Sequence, residues 1–224
     1  MLLYYITDRK SFGGTPPEQR AALLRRITDV ARAGVDLVQL REKDMATADL
    51  EELARDAMFL VRENSTTTKL LISTRVDIAL AVGADGVHLP AGSPPVTEIR
   101  SNWLRHTNSR LLIGISVHGT EDLRKAEFRS ANFAVLAPIF KKTATKATGI
   151  GLDVLREACA GSGIPVLALG GVNLANARSC LDAGAAGVAG IRLFQDGDVS
   201  STVTALRELT AQNTSAIRQS DTRV

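Results

Sequence analysis

Short apolar runs alternate with longer amphipathic segments along the chain, and the pattern repeats eight times. The runs are Leu2–Thr7, Val35–Leu40, Lys69–Ser73, Gly86–Leu89, Leu111–Val117, Phe133–Ile139, Pro165–Leu169 and Val188–Leu193. Helical patterns are read between and after them. The first runs from Pro17 to Ala33, where prolines open the helix, Leu23, Leu24, Ile27, Val30 and Ala31 give it an apolar face, and Gly34 stops it. Ala46–Arg62, Arg75–Val82, Pro94–Leu104, Thr120–Arg129, Leu152–Cys159, Leu174–Ala183 and Val199–Ala211 follow. Strands apolar on both faces require a parallel sheet covered by helices. Eight such pairs predict a single (β/α)8 TIM barrel, an α/β fold for which ~250 residues is typical. A doubly wound open sheet competes with it, but the first run lacks a following G-x-G-x-x-G turn. The expected organisation is one barrel over 1–212 and a flexible polar tail over 213–224.

Composition narrows the class of function. Hydrophobic residues make up 45% of the 224, enough for a sizeable core, yet no window approaches the ~18 apolar residues of a membrane span. Twenty-seven basic and 24 acidic residues leave a net charge of +3, too balanced to imply nucleic acid. A 4% aromatic content also argues against a base-stacking surface. Cys159 and Cys180 are the only cysteines, which makes neither a disulfide framework nor a zinc site. Met1–Lys10 lacks the pattern of a secretory leader. The expectation is a cytoplasmic protein with a small phosphorylated partner, no nucleic acid and no membrane, and with room for a homo-oligomer.

In a barrel of this kind chemistry sits where strands end. The second strand delivers Gln39 and Arg41 on one side, followed by Lys43. The fourth ends in His88, and the fifth in Ser116 and His118. Arg41 and Lys43 suit an anion, Arg as a fork and Lys as a point charge, although either could bridge to Glu42 or Asp44 instead. His118 is the best acid–base candidate, because imidazole exchanges protons near neutral pH, and His88 is the second. Thr143, Thr145 and Lys146 lie in a basic, hydroxyl-rich loop with Lys141 and Lys142, suited to gripping a phosphate. Gly170, Gly171 and Gly190 fit the barrel phosphate site, where backbone N–H groups meet an anion with no Cβ in the way. No strand end offers the paired carboxylates that suit Mg²⁺. Lys146 lies in a polar loop, where its pKa would not fall, which weighs against Schiff-base chemistry.

These strand ends resemble the thiamine phosphate synthase/TenI superfamily. The resemblance rests on Ile6–Asp8, Val38–Lys43, Ile72–Leu80, Gly86–Leu89, Gly114–His118, Ala137–Phe140, Thr145–Lys146 and Leu169–Val172, in order from about Ile6 to Phe194. It implies a (β/α)8 barrel with a thiazole phosphate over the loops of strands seven and eight, held at Gly171 and Gly190. In synthases a hydroxymethylpyrimidine diphosphate ionises with Mg²⁺ assistance and is captured by the thiazole nitrogen. Gln39, Arg41 and Lys43 would line the diphosphate side, Lys146 would reach its phosphates, and Ser116 would sit near the reacting groups. This chain departs from that pattern. Ser73-Thr74 stands where synthases show Asn-Asp, and Pro90-Ala-Gly-Ser93 where they show Gly-Gln-x-Asp. Leu89-Pro-Ala-Gly-Ser93 is similar instead to the TenI branch, which includes thiazole tautomerases.

The first expectation is therefore an isomerase: a cofactor-free thiazole tautomerase, with His118, Ser116, Lys43 and Arg41 as catalytic residues. Gln39, His88, Lys146, Thr143, Thr145, Gly170, Gly171 and Gly190 would bind substrate. The second is a transferase, a thiamine phosphate synthase whose Mg²⁺ site is rebuilt from Asp8, Glu42 or Asp44. A third is a protein that holds a thiazole or thiamine phosphate without turning it over.

Overall fold

The computed structural model describes residues 1–93, 96–128, 130–141 and 148–220. The strands β1 (Leu2–Ile6), β2 (Leu37–Leu40), β3 (Lys69–Ser73), β4 (Gly86–Leu89), β5 (Leu112–Val117), β6 (Phe133–Leu136), β7 (Val166–Ala168) and β8 (Gly187–Gly190) close into a barrel in chain order. Every pairing is parallel, and β1 meets β8 with Tyr4 beside Ala189. Between the strands run α1 (Pro16–Arg32), α2 (Thr47–Asn64), α3 (Val76–Ala81), α4 (Val96–His106), α5 (Thr120–Phe128), α6 (Gly151–Ala160) and α7 (Ala177–Asp182). A short α8 (Arg192–Gln195) and a long α9 (Val199–Ser220) follow β8. Among the described residues, no helix is long and apolar enough to cross a membrane.

Alternation along the strands divides the core in two. Tyr4, Ile6, Leu37, Leu71, Phe133, Val135, Leu167 and Ala189 fill the barrel interior. Leu3, Tyr5, Val38, Leu40, Leu70 and Ile72 face outward and pack with Leu23, Ile27, Leu53 and Val61 of the helices. Burying each such aliphatic side chain contributes about 1.5–3 kcal/mol. Cys180 is part of that outer layer, where burial pushes its thiol up to about 11.

A repeated polar tie closes the end of the barrel where the strands begin. Asp36, just before β2, accepts the Leu3 N–H at 2.7 Å. Asp85, before β4, accepts the Leu70 N–H at 2.9 Å, and Asn132, before β6, accepts that of Ile113 at 2.9 Å. An arginine from a helix reaches each of them: Arg207 to Asp36, Arg62 to Asp85 and Arg100 to Asn132.

Most boundaries lie within one to three residues of the sequence expectation, and three of the differences have a plain cause. The sixth run stops at Leu136 because Pro138 has no N–H to continue a ladder. The eighth stops at Gly190: Ile191 turns into the helical region, and Arg192 opens α8 instead of ending a strand. The last helix continues past Ala211 to Ser220, with no Gly or Pro to break it.

Candidate active site

The strands deliver their C-terminal ends to one cavity of about 730 Å³. Of the residues expected at a site, Gln39, Arg41, Lys43, His88, Ser116, His118, Gly170, Gly171 and Gly190 all line it. Thr143, Thr145 and Lys146 lie outside the described residues, and exposed Lys141 is not on the described wall. Asp8, a substitute Mg²⁺ ligand in the transferase expectation, lines it too, as do Ser11 and Arg192, to which the sequence gives no site role.

The basic side of the cavity is freed by a clamp built outside it. Glu42 is buried, and its carboxylate accepts the Thr7 hydroxyl at 2.6 Å, the Arg9 N–H at 3.2 Å and the Arg9 guanidinium at 3.1 Å. The same guanidinium grips Asp44 through two bonds of 2.7 Å, and Lys10 adds a contact at 3.0 Å. Asp44 is held well below the usual carboxylate range, first by the Arg9 hydrogen bonds. Among the described residues no carboxylate pairs with Arg41 or Lys43. The bridges that could have occupied them are made by Arg9 and Lys10 instead. Thr7 also accepts the Arg41 N–H at 2.9 Å, which fixes where the backbone leaves β2.

The two cavity histidines have different surroundings. His118 is exposed, and its Nδ1 meets the Ala137 carbonyl oxygen at 3.0 Å. A carbonyl only accepts, so Nδ1 carries the proton in that bond and Nε2 is the ring's acceptor. The His118 backbone N–H donates to Asp122 at 3.1 Å. His88 is buried at the cavity floor, with Nδ1 3.1 Å from the Tyr4 hydroxyl and Nε2 2.9 Å from the Ser116 hydroxyl. Burial, with Arg41 nearby, pulls its pKa down to about 3, so the ring is neutral and fully partnered at ordinary pH. That environment removes His88 as the second acid–base candidate, a point its sequence neighbours did not signal.

Gly170 and Gly171 adopt φ of +96° and +69°. A Cβ on Gly170 would stand 2.8 Å from the Pro138 Cα, and one on Gly171 2.8 Å from the Phe140 Cβ. Packing alone therefore demands glycine at both positions, and the same absence of side chains opens the loop to the cavity. Asn176 steadies it by donating to the Gly171 carbonyl at 3.0 Å. On the facing loop, Gln195 of α8 accepts the Tyr5 hydroxyl at 2.9 Å and donates to the Asp8 carbonyl at 2.7 Å and to the Ser11 hydroxyl. This link sets α8, and with it Arg192, beside Gly190.

Comparison with known proteins gives consistent results. The family model for thiamine monophosphate synthase matches residues 3–194. The thiamine-phosphate synthase of Roseiflexus sp. is 34% identical over 190 residues, covering 84% of this chain and 75% of that protein. The thiamine-phosphate synthase of Coprothermobacter proteolyticus is 33% identical over 211 residues, covering 92% and 93%. Among solved structures, a thiamine phosphate pyrophosphorylase from Pyrococcus furiosus superposes with a TM-score of 0.77 at 30% identity, covering 94% of this chain and 96% of that one. These names agree with the transferase expectation, which stood second, and give no support to the isomerase expectation that stood first.

Proposed function

Because the chain belongs to the thiamine monophosphate synthase family, we propose that it is a thiamine-biosynthesis enzyme whose cavity takes a thiazole phosphate, and that it moves a proton within the thiazole without a metal. The observation that carries the metal-free reading is the chemistry of the cavity wall. Mg²⁺ is usually held by one or two carboxylates together with substrate phosphates. Among the described residues Asp8 is the one carboxylate on the wall, and Ser73, Thr74, Pro90 and Ala91 occupy the region where the resemblance leads one to expect acidic ligands. Glu42 and Asp44 are held by Arg9. A lone carboxylate beside Arg41, Lys43 and Arg192 does not fit a dication, and no cluster of three potential ligands occurs among the described residues.

The chain's own groups suffice for the proton transfer. The N–H groups around Gly171 and Gly190 receive the phosphate, with Arg192 as its counter-charge. Arg41 and Lys43 neutralise a ring carboxylate on the opposite side. His118, with Nδ1–H committed to Ala137, has Nε2 available to take a proton from one ring position and return it at another.

Transfer of a pyrimidinylmethyl group from its diphosphate is the second reading, favoured by the names of the relatives. One experiment separates the two. The protein is incubated with a thiazole carboxylate phosphate in EDTA, and in parallel with hydroxymethylpyrimidine diphosphate and Mg²⁺, and products are followed by proton NMR and mass spectrometry. Isomerisation in EDTA, lost in His118→Ala, is the expected result. A coupled product formed only with Mg²⁺ and both substrates would establish the transferase reading instead.

A further inference from the structure

Tyr4, His88 and Ser116 form a line of hydrogen bonds from the closed interior of the barrel to the cavity. Tyr4 on β1 is fully buried, with its ring edge-on to Phe133 at 5.5 Å between centroids, and its hydroxyl reaches across to His88 on β4. Ser116 on β5 is half-buried and lines the cavity. Gly114, beside His88 in the β4–β5 register, makes room for this line. A Cβ there would lie 2.8 Å from His88 Nδ1 and 2.4 Å from the Phe133 ring.

Proton bookkeeping gives the line a direction. Among the described residues the Tyr4 hydroxyl has one hydrogen-bond partner, His88 Nδ1. A buried O–H without an acceptor is costly, so Tyr4 donates and Nδ1 accepts. The neutral ring then carries its single proton on Nε2, and that N–H donates to the Ser116 oxygen. Ser116 cannot give its own proton back to Nε2, so its O–H is left to face the cavity. This is the reverse of a Ser–His pair built for nucleophilic attack, in which the ring accepts from the serine.

We infer that Tyr4 is a positioning residue: by fixing the His88 tautomer it makes Ser116 a hydrogen-bond donor to an anionic oxygen or ring nitrogen of the ligand, and not a nucleophile. The role of Ser116 toward a thiazole phosphate rests on the function proposed above; the direction of the relay does not.

The test is therefore in two parts. Long-range ¹H–¹⁵N NMR on protein with labelled histidine reads the tautomer directly, with His88 assigned through a His88→Asn variant. In the unliganded wild-type protein, His88 is expected as the neutral Nε2–H form throughout pH 5 to 8. An Nδ1–H form, or a ring that titrates in that range, overturns the inference in the wild-type protein, whatever the Tyr4 and Ser116 variants do. In Tyr4→Phe the tautomers are expected to mix, and kcat/KM on a thiazole carboxylate phosphate to fall about tenfold, the size of one oriented hydrogen bond. Ser116→Ala should lose as much, and adding Tyr4→Phe to it should cost little more; additive losses would sink the coupling. If the tautomer is as stated but no thiazole phosphate is turned over, the proposed function fails and the relay stands.

Discussion

Arg9 shows how a single side chain can change what its neighbours are able to do. Read along the chain, Arg41-Glu42-Lys43-Asp44 alternates in charge and could neutralise itself. Folding instead brings Arg9 over from the end of β1 to take both carboxylates, which leaves both cations on the cavity wall. That exchange depends on two segments meeting in space, so no spacing rule within either could show it. Arg9→Ala leaves Glu42 buried without its cation, and should cost about 3 kcal/mol of stability by chemical denaturation. His88 gives the pH dependence. Below the ordinary histidine value of 6.5 the unfolded chain takes up a proton that the folded ring refuses until about pH 3. Stability is therefore full above 6.5 and should decline on acidification across that window, and His88→Asn should flatten the decline in a denaturation series. The two histidines were both legible as strand-end residues. Their different environments were not, because burial and the Tyr4 contact arise from opposite sides of the barrel.

Among elements, the strand ends were legible and the pieces between them less so. Parallel strands buried on both faces announce themselves by continuous apolar runs, and the residue following each run is placed by alternation alone. The sequence carries the eighth strand into the first half of α8, Arg192 and Leu193, because Ile191-Arg-Leu-Phe194 is too short for a helical period to show and its composition suits either state. The link through Gln195 to Tyr5 and Asp8 was hidden for the same reason. The β7 loop makes a sharp prediction. Gly171→Ala puts a methyl group 2.8 Å from Phe140 at a φ of +69°, and should cost about 1–3 kcal/mol in thermal unfolding. If this loop holds the phosphate, isothermal calorimetry should show the affinity for a thiazole phosphate reduced as well. Unaltered affinity would place the anion elsewhere.

For the molecule as a whole, the eight-fold alternation led directly to a closed barrel, since closure is what eight parallel units with no polar edge require. Closure also separates labour between the two ends of the strands. The cavity and every described candidate residue lie at one end; Asp36, Asp85 and Asn132 serve the other. Asp85→Ala, which unpairs the Leu70 N–H and releases Arg62 and Lys69, should lower stability by about 2 kcal/mol and leave kcat unchanged. A change in kcat would mean that the two ends are coupled through the barrel. The chemistry within the cavity was less legible than the fold, because it turns on which charges remain unpaired, and pairing is settled only when distant segments meet.

The polar ties at the start of the strands carry a further consequence, for exchange with solvent deuterium. An amide at the open end of a strand ordinarily exchanges through local fraying. Those of Leu3, Leu70 and Ile113 are each bound to a side chain that a helix arginine also holds, so releasing one means loosening strand and helix together. These three amides should exchange only as fast as the whole barrel opens, while amides of the exposed loop at Gly171 exchange orders of magnitude sooner. The slow and the fast clocks among these amides would then sit at opposite ends of one barrel.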